Sequence, residues 1–369
     1  MNAHFIGRIV TSFVGSLAGR GQDSTACSGS LPDGIAIDTL RQVCASQCGS
    51  PFSRVSCTHI SGWKGSGSYR LVLKTVDWTN WSLIYRNALY RPQEIPALAG
   101  LPVQPGPPEY HVYCHARGPM APYLPEVYSC IELVPGAHYQ YLLEDLEQDY
   151  RIGCSQAAIL RAAAALPAVH RTLASWAADV GRDGMLRYDR AFSIALEQFA
   201  ADHLQRYALS SGSGIVRKAC EMLPEIGRVH RRLLERFDGP GVVIHGDYNT
   251  SNILVHRRRR GAMKLIDWEW AGVGLAHADL ASLLKAAVPD VERQALAIYA
   301  GLQPQLSTAE HRLRYLWCKL ERALLDASFL AAQCSAGKSA GRFSLPRYIE
   351  DSAARALDAH AELHDAGGA

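Results

Sequence analysis

Two carboxylates and one amide side chain stand close together in a short stretch of this chain. Asp247 follows the apolar run 242–244, Asn252 comes five residues later, and Asp267 closes another apolar run beyond a basic hairpin. Loops at the ends of strands hold polar groups firmly and still let them reach a cleft. One carboxylate can orient a hydroxyl group and accept its proton, while an amide oxygen and a second carboxylate can hold Mg²⁺ against phosphate oxygens. The spacing therefore predicts phosphoryl-transfer chemistry.

Short strands and long helices must position these three side chains. The apolar runs predict strands at 242–244, 253–255 and 263–266. The rest of the second half is helical in pattern, and its predicted helices cover 156–178, 190–209, 215–237, 307 to about 332, and a last stretch that begins near Pro346. Pro167 is expected to kink or split the first of these helices. Ser307 and Glu310 form a capping box that opens the long one.

The first half of the chain predicts a smaller, β-rich unit. A short amphipathic helix is expected at 34–47, and strands are expected at 55–60, 69–76, 127–134 and 139–146. The Gly- and Ser-rich segment Ser61–Ser68 predicts a hairpin between the first two strands. A helix is predicted over 78–90, and the proline-rich passage after it predicts loops.

The motif H-G-D-x4-N at His245–Asn252, followed by I-D-W-E at Ile266–Glu269, resembles the aminoglycoside phosphotransferase and choline kinase family of small-molecule kinases. The resemblance implies an α+β, bilobal, protein-kinase-like fold with a small antiparallel-sheet N-lobe and a larger helical C-lobe. It places the N-lobe at 31–143 and the C-lobe at 144–369. Residues 1–30 have no counterpart in the family; their composition predicts a flexible extension, with a secretory signal as the lesser alternative. The resemblance also implies ATP as the phosphoryl donor, Mg²⁺ as the cofactor and a small-molecule hydroxyl group as the acceptor.

The resemblance assigns a role to each matching residue. Asp247 corresponds to the catalytic base, and Asn252 and Asp267 correspond to the Mg²⁺ ligands. The Glu144 carbonyl and the Leu146 amide correspond to the adenine contacts between the lobes. The expected phosphate contacts are the glycine-rich loop and a strand lysine, which here are Gly62, Gly65, Ser66, Gly67 and Lys74. His245, His170 and Asp279 are expected to brace the catalytic loop without transferring protons.

One expected partner is missing from its usual place. In this family a glutamate on a small-lobe helix pairs with the strand lysine, but the segment 78–90 contains no Asp or Glu. The nearest candidate is Glu94, beyond Pro92. Either Glu94 fills the role from an irregular position, or the ion pair is missing.

Composition narrows the possible partners. The chain has 369 residues, a formal net charge of +3 and ten cysteines without a C-x-x-C pair. A charge so close to balance does not favour nucleic acid or an anionic membrane as a partner, and the run Arg257–Arg260 is typical of a solvated hairpin tip. No apolar stretch reaches the length of a membrane span. The cysteine spacing favours reduced thiols in a cytoplasmic protein.

Three function classes agree with these patterns. The first is an ATP-dependent kinase of a small-molecule hydroxyl, such as an antibiotic, a natural-product intermediate or a choline-like metabolite, and antibiotic resistance is one role in this class. The others are a protein kinase and a nucleotide-binding pseudokinase with a regulatory role. Acidic residues in the expected acceptor wall alternate with arginines, which weakens the case for a polycationic antibiotic; they are Asp179, Asp183, Asp189, Glu197 and Asp202.

Overall fold

A computed structural model describes residues 31–32, 35, 37–61, 67–90, 100–102, 107–180, 185–237, 241–336 and 344–367. The first half contains α1 (Ile37–Cys48), β1 (Phe52–Ser61), β2 (Gly67–Thr75), β3 (Asn80–Leu89), α2 (Pro108–His115), α3 (Arg117–Met120), β4 (Val127–Val134) and β5 (His138–Glu144). The second half contains β6 (Tyr150–Ile152), α4 (Gln156–Val180), β7 (Leu186–Arg187), α5 (Arg190–Ser211), α6 (Gly214–Phe237), β8 (Val242–Ile244), β9 (Ile253–His256), β10 (Met263–Leu265), β11 (Gly272–Gly274), α7 (His277–Leu284), α8 (Pro289–Gly301), α9 (Thr308–Ser335) and α10 (Leu345–Asp365).

The first half is built on one antiparallel sheet with the strand order β1-β2-β3-β5-β4. Residues of β2 and β3 alternate between the two faces, so Leu71, Leu73, Leu83 and Tyr85 are buried on the face that α1 covers. Leu40 of α1 completes this small core. The predicted α+β fold with an antiparallel N-terminal sheet is confirmed.

The prediction of a helix over 78–90 is wrong, because this segment forms β3. Leu83 and Tyr85 are buried two residues apart, which is the period of a strand. A turn stabilised by Asp77 precedes β3: the Asp77 carboxylate accepts hydrogen bonds from the hydroxyl groups of Thr75 and Thr79. Tertiary burial and this turn outweigh the local helical pattern.

A disulfide joins Cys114 of α2 to Cys130 of β4, with the two Cα atoms 6.1 Å apart. The expectation of reduced thiols is therefore wrong for this pair, since the fold brings together two cysteines whose spacing in sequence carries no motif. The other described cysteines form no disulfide. The bond ties α2 to the edge of the sheet.

The second half is helical and contains the main core. The long helix α9 packs against α5, α7 and α10, and α4 packs against α8. The Ser307 hydroxyl accepts a hydrogen bond from the Glu310 amide (3.2 Å), as the capping box predicted. The helix α4 runs through Pro167 without splitting.

Two three-stranded sheets lie within this helical half and present the loops between their strands. One has the order β10-β9-β6 and the other the order β7-β11-β8. The strands predicted at 242–244, 253–255 and 263–266 are confirmed as β8, β9 and β10. Within the described residues, no helix is both long and apolar enough to cross a bilayer. The predicted extension 1–30 lies outside the described residues, as do Gly62, Gly65, Ser66 and Glu94.

Candidate active site

The loop between β8 and β9 is held by one buried carboxylate from α7. Asp279 accepts hydrogen bonds from the backbone amides of His245 (2.8 Å) and Gly246 (2.9 Å). His170 of α4 donates to the same carboxylate through its Nε2 (2.9 Å). These three bonds satisfy the lone pairs of a side chain that is fully buried. The bracing role expected for Asp279 and His170 thus has a direct geometric basis.

Gly246 has a backbone conformation and a neighbour that exclude a side chain. Its φ is +76°, and a Cβ atom at this position would overlap the carbonyl oxygen of Trp270. Only glycine combines this φ with so close an approach. The glycine of the motif therefore sets the path of the chain directly before Asp247.

His245 is a neutral, structural side chain. Burial lowers its pKa. Its Nε2 donates to the carbonyl oxygen of Ile266 (3.1 Å), which leaves Nδ1 as the acceptor for the Asp247 amide (3.4 Å). Its ring stacks on Trp268 with 4.2 Å between centroids. The histidine thereby joins the Asp247 loop to the segment that carries Asp267.

Asp247 is 7% exposed, and each of its carboxylate oxygens has at least one protein partner. Oδ2 accepts from the Asn252 Nδ2 (2.9 Å), and Oδ1 accepts from a guanidinium nitrogen of Arg322 (2.6 Å). Burial alone would raise the pKa of Asp247, but the charges of Arg322 and Lys285 lower it to about 2. The group is an oriented carboxylate with a lone pair left for a substrate hydroxyl.

Asn252 lies beside both aspartates. Its Nδ2 donates to Asp247, so its Oδ1 is the side-chain atom that could bind a metal ion. The Ile266 amide donates to the Asn252 carbonyl oxygen (3.1 Å), which places Asp267 next to the Asn252 strand end. The structure thus brings together Asp247, Asn252 and Asp267, as the sequence predicted.

Asp267 faces a cation that the sequence reasoning missed. The Arg86 guanidinium, on β3, lies 3.8 Å from the Asp267 carboxylate and 2.9 Å from that of Glu109 on α2, and it also contacts Glu269. Burial and the neighbouring Glu269 raise the pKa of Asp267 well above its ordinary value. Burial likewise raises the pKa of Glu109 to about 7 against the attraction of Arg86. The backbone of Asp267 has a φ of 66°, a strained value that is found more often at functional sites.

Lys74 lies away from this cluster. It pairs with Asn80 at the end of the β2–β3 hairpin, and its ammonium group sits 3.9 Å from the ring centre of Trp78. Arg86 stands instead opposite Ser68, at the end of β2 where Gly67 begins the strand. The strand that carries the cation of this site is β3, one strand later than expected.

The predicted hinge residues follow β5. The Glu144 amide donates to the Glu126 carbonyl (2.9 Å), and the Leu146 carbonyl accepts from Tyr150 (2.9 Å). No backbone partner for the Leu146 amide is found within the described part of the chain. Asp145 binds Arg70 of β2 through two hydrogen bonds (2.7 and 3.3 Å), which fixes the hinge to the sheet. The adenine contacts of Glu144 and Leu146 remain predictions.

Sequence reasoning missed Arg86, Glu109 and Arg322. Arg86 could not be assigned because a helix was predicted over 78–90. In a strand, Leu83 and Tyr85 lie on one face and Arg86 lies on the other. Glu109 follows Pro107 and Pro108, a pattern that marks the first turn of a helix. Arg322 lies on a largely apolar helix, with Asp326 one turn later. Such an i,i+4 pair of opposite charges can be identified from the sequence.

The residues present fit a magnesium ion. Asp267 could supply a carboxylate and Asn252 an amide oxygen, and three carboxylates surround the single positive charge of Arg86, so a further cation would be stabilised here. Among the described residues, no group of three or more His, Cys, Asp or Glu is arranged to hold a metal by itself. Mg²⁺ is usually held by one or two carboxylates together with substrate phosphates, which is the set available here.

Comparison with protein families places the site in context. The model of the phosphotransferase enzyme family, named APH, matches residues 113–316, more than half of the chain. That stretch contains the Asp247 loop, Asp267, Asp279 and all of α4 to α8. No curated protein matches the chain in a sequence comparison.

Solved structures show the same fold at low sequence identity. A choline/ethanolamine kinase family protein from Mesorhizobium loti is 16% identical, with a TM-score of 0.56 over 90% of this chain and 98% of its own. A choline kinase from Cryptosporidium parvum is 11% identical, with a TM-score of 0.57 over the same shares, 90% and 98%. A thermostable mutant of aminoglycoside phosphotransferase APH(4)-Ia, in ternary complex with ADP and hygromycin B, is 13% identical, with a TM-score of 0.53 over 87% and 97%. The bilobal, protein-kinase-like fold is confirmed.

Proposed function

The chain belongs to the phosphotransferase enzyme family, and we propose that it transfers the γ-phosphoryl group of ATP to a hydroxyl group of a small molecule. The observation that carries the proposal is the position of Asp247, whose two carboxylate oxygens are held by Asn252 and Arg322 and whose charge acts on the nearby Asp267. That ADP is bound in one of the similar structures supports a nucleotide as donor.

Each residue of the cleft has a part in the proposed reaction. Asp247 accepts a hydrogen bond from the acceptor hydroxyl and so orients the hydroxyl oxygen towards the γ-phosphorus. It takes the hydroxyl proton as the new P–O bond forms and the bond between the γ-phosphorus and the β-phosphate oxygen breaks. Arg86 neutralises charge on the phosphate groups, and Glu109 orients its guanidinium. Asn252 and Asp267 would hold Mg²⁺, which neutralises further phosphate charge when bound.

In this proposal the glycine-rich loop binds the phosphates of ATP and the hinge binds its adenine. Gly62, Gly65, Ser66 and Gly67 would cover the phosphates through backbone amides, and the Leu146 amide and Glu144 carbonyl would meet the adenine. In the Arg86–Glu109 ion pair, Arg86 of β3 is the cation, and Glu109 supplies the acidic partner that segment 78–90 lacks. A complete set of polar groups favours an active kinase over a pseudokinase.

The variant Asp247→Asn tests this function. We expect the phosphoryl-transfer rate to fall by about 10²- to 10⁴-fold, because the proton acceptor is lost. MgATP binding is expected to persist, because the groups that hold the phosphates are unchanged. The measurement pairs a titration of MgATP binding with an ATP-turnover assay against a panel of alcohols that includes choline, amino alcohols, sugars and aminoglycosides.

The matched control is Asp290→Asn, which removes a carboxylate from an exposed i,i+3 pair with Arg293. It should behave as the wild type in both assays. A wild-type protein that binds no MgATP, or an Asp247→Asn variant that keeps full turnover, would contradict the proposed function.

A further inference from the structure

A group of charged side chains adjoins Asp247 on its Oδ1 side. Arg322 and Asp326 lie one turn apart on α9, Lys285 ends α7, and Arg355 comes from α10. We call these four residues the α9 charge cluster. Arg322 joins it to the catalytic loop, since its guanidinium donates to Asp247 Oδ1 (2.6 Å) and to the Gly246 carbonyl (2.9 Å).

The cluster has more positive than negative charge. Asp326 is shared among three cations: it accepts a hydrogen bond from Arg322 (2.9 Å) and forms longer ion pairs with Lys285 (3.6 Å) and Arg355 (3.7 Å). With Asp247 counted as the second carboxylate, three cations face two anions. One positive charge therefore remains without a carboxylate among the described residues.

Lys285 carries most of the unused hydrogen-bonding capacity, because two of the three guanidinium nitrogens of Arg355 already donate, to the Lys285 carbonyl (2.9 Å) and to the Ser352 hydroxyl (2.7 Å). Arg322 uses all three of its guanidinium nitrogens on Asp326, Gly246 and Asp247. The Lys285 ammonium makes no hydrogen bond within the described residues, since its 3.6 Å pair with Asp326 is too long for one. The Nε of Arg355 is buried and also has no partner in that part of the chain.

A buried cationic group without hydrogen-bond partners costs free energy of folding, and the Lys285 ammonium is such a group among the described residues. The Lys285 side chain is 18% exposed, and burial lowers its pKa in spite of the attraction of Asp326. A buried cation is stabilised by an anion that restores the hydrogen bonds it lost from water. The donors of Lys285 and Arg355 are thus suited to an anionic ligand group beside Asp247.

The acidic residues expected to meet a cationic acceptor have other partners or positions. The Asp189 carboxylate caps α5 by accepting from the amides of Ala191 (3.0 Å) and Phe192 (3.2 Å). Glu197 pairs with Arg231 (3.3 Å), and Asp202 is exposed. The remaining two, Asp179 and Asp183, lie outside the described side chains. None of the three described residues of this group therefore offers a polycation an uncommitted buried carboxylate.

We propose that the acceptor carries an anionic group, a carboxylate or a phosphate, which Lys285 and Arg355 bind while its hydroxyl meets Asp247. This inference rests on the proposed function and names its acceptor class. It sets the chain apart from acceptors such as choline and hygromycin, which are cationic. Electrostatic complementarity would then select an anionic acceptor, because the excess positive charge of the α9 charge cluster would repel a cationic one.

The test titrates simple anions into the protein while Mg²⁺ and AMP-PNP are kept at saturation, so that the nucleotide site is covered. The probes are malonate for a carboxylate group and inorganic phosphate for a phosphate group, with choline and kanamycin as cationic probes, all followed by calorimetry. We expect one of the two anions to bind. Binding of malonate would indicate a carboxylate on the acceptor, and binding of inorganic phosphate would indicate a phosphate group. Lys285→Met and Arg355→Met should each weaken that binding by about tenfold or more.

Two further variants keep the test decisive. Lys285→Arg retains the charge and should restore binding towards the wild-type value. Lys319→Met removes a lysine of α9 that is already paired with Glu292 and Glu362 (2.9 Å each), and it should leave anion binding unchanged. Thermal unfolding of each variant shows whether it is folded.

The outcomes separate this inference from the proposed function. Failure of AMP-PNP to bind would contradict the proposed function and the inference with it. A protein that binds AMP-PNP but neither anion keeps the proposed function and overturns the inference. Anion binding that is unchanged in folded Lys285→Met and Arg355→Met, or tighter binding of choline or kanamycin than of the anions, would overturn it as well.

Discussion

Asp247 is suited to orientation more than to strong basicity. With a pKa near 2, it is a weak proton acceptor before the reaction begins. In phosphoryl transfer the attacking oxygen needs little activation until the bond to the leaving group has lengthened. A carboxylate fixed by Arg322 and Asn252 can hold the hydroxyl in line at a small reorganisation cost, and it takes the proton late.

Arg86 and Lys74 allow a matched test of which cation serves the phosphate groups. Arg86→Met is expected to lower kcat/KM for ATP by about 10²- to 10³-fold, because it removes a buried charge beside Asp267. Lys74→Met is expected to stay near the wild type, because Lys74 lies over Trp78 at the other end of β2. Steady-state kinetics with varied ATP measure both.

Stability must be followed in the same experiment. Arg86→Met leaves the buried Glu109 carboxylate without its partner, a change that typically costs about 3–5 kcal/mol. Arg86→Lys keeps the charge and should retain more activity than Arg86→Met. A fully active, folded Arg86→Met protein, or a Lys74→Met protein with the larger defect, would contradict the assignment of the phosphate contact to Arg86.

The β8–β9 loop depends on glycine for its path, and this can be measured. Gly246→Ala combines a left-handed φ with overlap on the Trp270 carbonyl, so we expect a loss of unfolding free energy of about 3 kcal/mol or more. Gly261→Ala is the control: its φ is +90°, but no atom lies within 4 Å of the added Cβ, so only the conformational strain of about 1–2 kcal/mol applies. Urea unfolding compares the two. Equal losses would show that the contact with Trp270 relaxes freely.

The disulfide between α2 and β4 should stabilise the helix that carries Glu109. The two cysteines are 16 residues apart, and closing a loop of this length contributes about 3 kcal/mol. We expect dithiothreitol to lower the Tm of the wild type and the variant Cys114→Ser to lower it without reductant. Cys154→Ser, which changes an exposed free cysteine, should have no effect. A Tm that does not respond to reductant would show that the bond adds no stability.

The two halves of the molecule meet through ion pairs as well as through the chain. Arg70 of β2 reaches Asp145 at the hinge, and Arg86 of β3 reaches Asp267 and Glu269 in the helical half. Both links belong to the proposed nucleotide site, since Arg86 is the proposed phosphate contact and Asp145 lies between the proposed adenine contacts Glu144 and Leu146. Nucleotide binding and the relative position of the halves are therefore expected to be coupled.

Acid should destabilise the whole fold through buried histidines. Burial, with His311, Arg314 and His170 nearby, lowers the pKa of His277 from 6.5 to about 3. His277 Nε2 lies 3.0 Å from His311 Nδ1, and His311 Nε2 lies 2.9 Å from the Gln303 carbonyl. The arrangement suits two neutral rings, each donating through Nε2. Burial likewise lowers the pKa of His111, His203, His245 and His360.

The sign of this pH dependence follows from the lowered native pKa. The stability contributed by neutral His277 is fully present above pH 6.5 and is lost as the pH falls towards 3, because the unfolded chain takes up the proton first. We expect the free energy of unfolding to fall by a few kcal/mol between pH 7 and pH 5, on the order of what one or two such groups supply. Urea unfolding at the two pH values measures it.

The control for this prediction is His277→Leu. It should be less stable than the wild type at pH 7, because the partner atom of His311 is lost, but its stability should change less between pH 7 and pH 5. Equal pH dependence in the variant and the wild type would assign the effect to other groups.

The chemistry proposed for the site follows from the sequence alone. Asp247, Asn252 and Asp267 could be selected because strand ends, a glycine turn and a fixed spacing are local properties of a chain. The strands β8, β9 and β10, the capped helix α9 and the α+β fold class follow from periodicity and capping, which act within a few turns of a helix or a few residues of a strand.

Only the tertiary structure decided the partners of these residues. Three contacts join elements that are distant in sequence, and no local pattern specifies them. They are the Arg86–Glu109 ion pair, the Arg322–Asp247 ion pair and the Cys114–Cys130 disulfide. Residues 78–90 formed a strand because a place in the sheet buries Leu83 and Tyr85, a free-energy gain that exists only once neighbouring strands are present. The excess charge around Lys285 likewise arises from three helices, since charge balance is a sum over space and not over sequence.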